Sequence, residues 1–328
     1  MMGLFLNEVK RLNGVICIGE ALIDFIPLDS DNETYQKAPG GAPANVSVGI
    51  AKLGGKATFL GKVGKDVLGH FLLKTLTDYG VNTEFMTLTD EARTGVTFVT
   101  LDSSGDRDFS FYINPSADRF LKKEELDPSL FKQHKILHFG SISLISEPSK
   151  SATLRAIEMA KEMGMLVSYD PNLRLGLWDT SEKAKETILG TLNHADILKI
   201  SEEELIFLTG CSDLEDGVAQ LPDLPLILVT LGENGCLYRF KGQMGNVPAL
   251  ACKVIDTTGA GDAFVSGILY SINESAKSLT DFTEQEMVEV IRFASVSGGL
   301  ATTKKGAMTG LPTLQEMKDR KYETLLKR

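Results

Sequence analysis

The 328-residue sequence holds only four cysteines, Cys17, Cys211, Cys236 and Cys252, and no CxxC spacing among them. His134 and His138 therefore lack the cysteine pair that a structural zinc site needs, and single cysteines in apolar surroundings read as reduced core residues. Basic residues are scarce beside acidic ones, 34 against 44, which leaves a formal net charge of −10. That balance argues against non-specific nucleic acid binding, although a local set of donors can still hold an anion. No apolar run approaches the length of a membrane span. The N-terminal Gly3-Leu4-Phe5-Leu6 is interrupted by Asn7, Glu8, Lys10 and Arg11 before it resembles a secretory leader. A cytoplasmic protein with no membrane contact is expected. The familiar phosphate signatures are missing too: there is no GxxxxGK loop followed by Ser or Thr, no GxGxxG after the first strand, and no protein-kinase set.

What is present belongs to an α/β protein. Hydrophobic residues make up 43% and charged residues 24%, as in soluble globular chains, and the length suits one large α/β unit with an appendage. Gly14 to Gly19 is a short continuous apolar run that fits a buried parallel strand, and Ala57 to Val63 reads as another. From Lys135 onward strands alternate with helices. The strands are expected at 135–139, 165–169, 197–200 and 226–230, with a strand pair around Cys236 to Phe240. Helices are expected at 149–163, 181–193, 202–208, 283–301 and 313–326. Such alternation implies a doubly wound sheet with helices on both faces. Thr94 to Leu101 and Asp108 to Ile113 break the rhythm. They are rich in β-branched and aromatic residues and joined by the polar loop Asp102 to Asp106, so they predict a hairpin. With parts of 21–39 this hairpin forms a small β lid, a device that keeps water from a phosphoryl transfer.

The chemistry is sought at Asp256-Thr-Thr-Gly-Ala-Gly-Asp262, followed at once by an apolar helix-like run. Glycines at a helix start leave amides free to hold a phosphate, which assigns Gly259, Ala260 and Gly261 to an anion hole. A carboxylate placed there should repel the phosphate, and its reason to stand there is as the base that deprotonates an attacking hydroxyl: Asp262. A plain helix N-cap would account for the same residues taken alone. Asp24, near the end of the first strand, is either turned to solvent or aimed at a polar ligand. Asn45 sits in the first turn of a helix opened by Gly40-Gly41-Ala42-Pro43, where it either satisfies backbone or meets a hydroxyl. Ser201-Glu202-Glu203-Glu204 places carboxylates at a strand's carboxyl end, where they could serve Mg²⁺ through water or merely complement a helix dipole. The loop Thr230 to Gly235, with Gly232, permits close backbone approach by a nucleotide.

Together, the Gly40 to Gly69 stretch and the Asp256 to Gly267 stretch, in that order, resemble the ribokinase-like family of carbohydrate kinases, most closely its fructokinase branch. The resemblance runs from Val15 to about Pro312. It implies a ribokinase-like three-layer α/β/α fold over residues 1–328, with a lid formed by about 21–39 and 94–114, and ATP-dependent phosphorylation of a sugar's primary hydroxyl. Carried over by position, Asp262 is the base, while Asp24, Gly40, Gly41, Asn45, Asn114 and Arg174 meet the sugar and Phe98 and Tyr112 close from the lid. Ser201, Thr230, Gly232, Gly235, Gly259, Gly261 and Ser295 border ATP. Glu204 corresponds to the magnesium-associated glutamate, and the carbonyls of Asp256, Thr258, Ala301, Lys304 and Gly306 to a K⁺ site. Ser201 and Ser295 stand where many members carry Asn. Ile113 replaces an Arg common in kinases of the acidic sugar 2-keto-3-deoxygluconate, which points to a neutral sugar. The expectation is an ATP:fructose phosphotransferase that needs Mg²⁺, and a homodimer paired through the lid is compatible with it. The rivals are a kinase for 2-keto-3-deoxygluconate, ribose or aminoimidazole riboside, and a catalytically silent sugar-binding protein.

Overall fold

The computed structural model describes residues 12–101 and 107–326. The lid loop expected at Asp102 to Asp106 and the extreme N-terminal run lie outside the described residues. In chain order the strands are β1 (Val15–Ile18), β2 (Leu22–Pro27), β3 (Tyr35–Gly40), β4 (Ala57–Gly64), β5 (Met86–Thr89), β6 (Gly95–Leu101) and β7 (Arg107–Phe111). Then follow β8 (Ile136–Phe139), β9 (Leu166–Tyr169), β10 (Ile197–Ser201), β11 (Leu226–Thr230), β12 (Cys236–Phe240) and β13 (Gln243–Val247).

One sheet runs β13-β12-β11-β10-β9-β8-β1-β4-β5, parallel throughout except for the antiparallel β12 and β13 at one edge. Its central strands are buried on both faces, as their unbroken apolar runs require. Alternate residues feed two separate cores. Val15 and Cys17 pack with the helices Ala42–Lys52, Val67–Asp78, Ala260–Glu274 and Glu284–Ala301, whereas Ile16 and Ile18 pack with Ser149–Glu162, Ser181–Leu192 and Glu202–Thr209. The result is the three-layer α/β/α architecture. Ala260–Glu274 lies so close to Glu284–Ala301 that a Cβ on Gly267 would stand 2.7 Å from the Ala294 Cα, so the helix that carries Asp262 is firmly clamped.

The second sheet has the order β3-β2-β6-β7, with β2 parallel to β6. It stands over the carboxyl ends of the parallel strands, because β1 leads into β2 through Gly19-Glu20-Ala21 alone. The expected lid hairpin is there, although β7 ends at Phe111 rather than Ile113. The β-α alternation from residue 135 onward agrees with expectation to within one residue at each named strand and helix end. The short β5 and the helices Pro128–Phe131 and Leu214–Gln220 were not expected. β5 is a four-residue edge strand that pairs with β4, a pairing that no local pattern announces.

Candidate active site

One wall of the site is built at the turn into the Ala42–Lys52 helix. Gly41 caps that helix at φ 101°, and a Cβ there would lie 2.5 Å from the Glu20 carbonyl oxygen, so only glycine fits. The Glu20 carboxylate accepts the Ala42 N–H at 3.0 Å and ties the helix start to the end of β1. Gly40 makes room in a different way: a Cβ on it would stand 2.2 Å from Oδ2 of Asp24, its diagonal neighbour across the β2–β3 pair. The first helical turn then aims Asn45 at Asp262, and Asn45 Nδ2 donates to Asp262 Oδ2 at 2.8 Å. Asn45 thus holds a carboxylate, a contact that sequence reasoning did not foresee, while its Oδ1 is buried without a partner among the described residues.

The opposing wall is the start of the Ala260–Glu274 helix. The Asp256 carboxylate accepts the Thr258 N–H and the Gly306 N–H, both at 2.9 Å, and so joins the two chain segments beside the glycine turn. Gly259 adopts φ 77°, and the helix begins there. Of the three amides expected to form an anion hole, Ala260 N–H is already taken by the Thr257 carbonyl at 3.1 Å. The N–H groups of Gly259, Gly261 and Asp262 find no acceptor among the described residues. The free donors are therefore Gly259, Gly261 and Asp262 itself, a correction imposed by the tight turn. Burial pushes the Asp262 carboxyl up to about 6; the Asn45 hydrogen bond, Lys199 and Arg174 oppose that rise, and Asp170 adds to it. Asp24 is likewise raised to about 6, chiefly by burial, and Glu20 to about 8 for the same first reason.

Between these walls lies a cleft of about 370 Å³. It brings together Asp24, Gly41, Asn45, Arg174, Thr258, Gly259, Gly261 and Asp262 of the expected residues. The lid contributes Leu22, Asp24, Thr97, Phe109 and Phe111. Phe98 and Tyr112 do not line the cleft. Successive strand residues face opposite ways, and Thr97 faces inward in register with Asp24, so Phe98 points outward. There it stacks on Phe25 at 5.0 Å and meets the edges of Tyr35 and Tyr112. The alternation of Phe109 and Phe111 along β7 was the available signal for the inward ring pair. Asn114 also stands outside the cleft, in the exposed segment beyond β7. Glu20, Asn172 and Lys199 line it unforeseen. Asn172 carries the only motif-level hint, standing in Asp170-Pro171-Asn172 with φ 45°.

Of the residues expected at a nucleotide, Gly259 and Gly261 line this cleft, whereas Ser201, Thr230, Gly232, Gly235 and Ser295 do not. Ser201 and Thr230 are register partners at the ends of β10 and β11. Gly235 closes the β11–β12 turn, where a Cβ would meet the Val247 carbonyl oxygen at 2.1 Å, whereas Gly232 faces open space. Ser295, on the Glu284–Ala301 helix, buries its hydroxyl without a partner among the described residues. Glu204 is buried and doubly tied: its two oxygens accept the Leu173 and Ser201 N–H groups, each at 2.7 Å, and the Ser201 hydroxyl caps the same helix. Beside it, Lys199 Nζ pairs with Asp170 Oδ2 at 3.1 Å. No group of three or more His, Cys, Asp or Glu is arranged to hold a metal among the described residues. The carbonyl oxygens of Ala301 and Lys304 converge on Gly310, where a Cβ would lie 3.1 and 3.7 Å from them. The Gly306 carbonyl accepts the Gly310 N–H at 3.0 Å. No helix among the described residues is long and apolar enough to cross a membrane.

Comparison with known proteins bears on the family and the fold. Residues 12–314 match the pfkB family carbohydrate kinase description. The protein named probable fructokinase-6, chloroplastic, of Arabidopsis thaliana is 49% identical over 95% of this chain and 82% of its own length. Among solved structures, a double-mutant fructokinase of Vibrio cholerae O395 in a fructose-, ADP- and potassium-bound form superposes with a TM-score of 0.86 at 39% identity, covering 94% of this chain and 98% of that one. The ATP-bound fructokinase of Xylella fastidiosa gives a TM-score of 0.90 at 34% identity, over 95% and 98% of the two chains.

Proposed function

The chain belongs to the pfkB family of carbohydrate kinases, and from that premise we propose that it transfers the terminal phosphoryl group of ATP to the 6-hydroxyl of fructose. The observation that carries the reading is the Asp262 carboxylate, held by Asn45 at the mouth of a helix whose first free amides flank it. Fructose lies between Asp24 and Thr97 of the lid and Asn45 of the main sheet's helix layer, with the rings of Phe109 and Phe111 against its carbon face. Asp262 takes the proton of O6 as the O6–phosphorus bond forms, and the bond to the leaving oxygen breaks with its electron pair going to ADP. The Gly259, Gly261 and Asp262 amides face the charge on the phosphoryl oxygens. A carboxylate is a weak base, yet it suffices where the hydroxyl proton leaves late, and burial brings it closer to the working pH.

Mg²⁺ bound to the nucleotide would neutralise charge on the phosphates, and Glu204 would reach its waters through lone pairs left beyond its two backbone bonds. The carbonyls of Ala301 and Lys304, which converge near Gly310, would hold K⁺ together with those of Asp256, Thr258 and Gly306. Ser201, Thr230, Gly232, Gly235 and Ser295 would border ATP along the strand ends. The whole chain reads as one kinase unit with the four-stranded sheet as its lid. The outward rings of Phe25, Tyr35, Phe98 and Tyr112 would pair two copies, which sedimentation would detect as a dimer. A cytoplasmic location is the further expectation, checked by cell fractionation against a plastid or other organelle.

A coupled ADP-release assay over fructose, ribose, 2-keto-3-deoxygluconate and aminoimidazole riboside tests the reading. Fructose should lead by at least about tenfold in kcat/KM, the discrimination that a few misplaced hydroxyl contacts supply. A different preferred sugar would reassign the substrate. Sugar binding without ADP release from any of them would leave a silent binding protein.

A further inference from the structure

The carboxylates around the cleft raise an electrostatic problem. Asp262, Asp170, Glu204 and Asp24 all stand in or beside it, and a polyphosphate must approach Asp262. Arg174 is exposed and donates to its neighbour's carbonyl, Leu173 O, at 3.0 Å. The buried cation in this set is Lys199. Its side chain is 11% exposed, it lines the cleft, and a Cβ on Gly261 would lie 3.3 Å from its Nζ. The ammonium is therefore next to one of the free amides at the helix start. Asp170, whose side chain is 4% exposed, takes it from one side at 3.1 and 3.4 Å. An ammonium has three donors, so directions remain for an anion in the cleft.

A buried ion pair by itself gives little net stability, because desolvating both charges offsets their attraction. An apolar pair would fill the same volume at least as well, so packing alone does not explain Lys199. We propose that Lys199 is a catalytic residue: its ammonium, held by Asp170 beside the Gly261 amide, contacts the phosphoryl group during transfer and stabilises the charge that develops there. Lys199 keeps its proton throughout. The proton that moves is the sugar's, and it goes to Asp262. The inference rests on the phosphotransferase reading of the site but not on which sugar is used.

The test separates a charge that acts on the phosphoryl group from one that merely neutralises Asp170. Three variants are compared with wild type: Lys199→Met, Asp170→Asn, and both together. Each is assayed for kcat at saturating fructose and ATP, for calorimetric Kd of fructose and of ADP, and for Tm. Lys199→Met should lower kcat by about 10²- to 10³-fold, the usual loss when one donor to a developing charge is removed. Its Tm should fall as well, since Asp170 is left buried and unpaired. The double variant should recover Tm but not kcat, with both dissociation constants within about threefold of wild type. Recovery of kcat in the double variant would overturn the proposal and make Lys199 a partner of Asp170 only. A loss seen wholly in fructose or ADP binding would overturn it too. If wild type phosphorylates no sugar, the parent reading fails with it; an active wild type beside an active double variant defeats the Lys199 assignment alone.

Discussion

Replacing Asn45 with Ala removes the single side-chain donor to the Asp262 carboxylate among the described residues, at 2.8 Å. A hydrogen bond to a charged group contributes about 1.5–3 kcal/mol, and each pKa unit corresponds to about 1.4 kcal/mol. The donor favours the ionised form, so its loss raises the Asp262 pKa, by about one unit once water occupies the vacated space. The base works only when ionised. The acid limb of kcat, expected near pH 6 in wild type, should therefore move to about pH 7 in Asn45→Ala. At pH 6 wild type is about half ionised and the variant about one-tenth, so the variant should lose about fivefold more activity there than on the alkaline plateau. The assay is ADP release from pH 5 to pH 9 at saturating sugar. Asp24, also raised to about 6, perturbs kcat/KM, so an Asp24→Asn enzyme serves as control. Superimposable acid limbs in wild type and Asn45→Ala would refute the argument, because either Asp262 is not the titrating base or Asn45 does not hold it.

Asp262→Asn should lower kcat by about 10²- to 10⁴-fold while calorimetric sugar binding persists, and near-normal turnover would remove Asp262 from its role. Gly310→Ala places a methyl 3.1 Å from the Ala301 carbonyl oxygen and should abolish activation by K⁺ over Na⁺, so an unchanged K⁺ response would place the cation elsewhere. Glu20, raised from 4.5 to about 8 by burial, stabilises the fold in its protonated form. That contribution is fully present below pH 4.5 and is lost as pH climbs through about 8. The Tm of wild type should consequently fall between pH 6 and pH 9, and Glu20→Gln should flatten the decline; equal slopes in the two proteins would contradict this.

Much of the site was legible because its parts are local. The glycine turn at Gly259, the acidic residue directly after it, and the Gly40-Gly41 helix entry each demand their conformation from a few adjacent residues. The errors arose where direction depended on more than position. The resemblance places Phe98 over the cleft by position, but its inward neighbour Thr97 turns it to the outer face. Ala260 was counted as a donor although the turn spends its N–H on Thr257. Glu204 lay in a legible acidic run, whereas its bond to Leu173, 31 residues away in sequence, did not.

Strand and helix identity, the two-faced sheet and the chemical character of Asp262 followed from the chain alone, since apolar periodicity and glycine stereochemistry act over a few residues. Contacts between distant segments needed the folded structure. Asn45 meets Asp262 across 217 positions, and Lys199 meets Asp170 across 29. Such encounters depend on how the layers stack, and burial is what then moves the carboxyl groups from their ordinary pKa. A linear sequence carries the charges, but only packing determines how much water and which neighbours surround them.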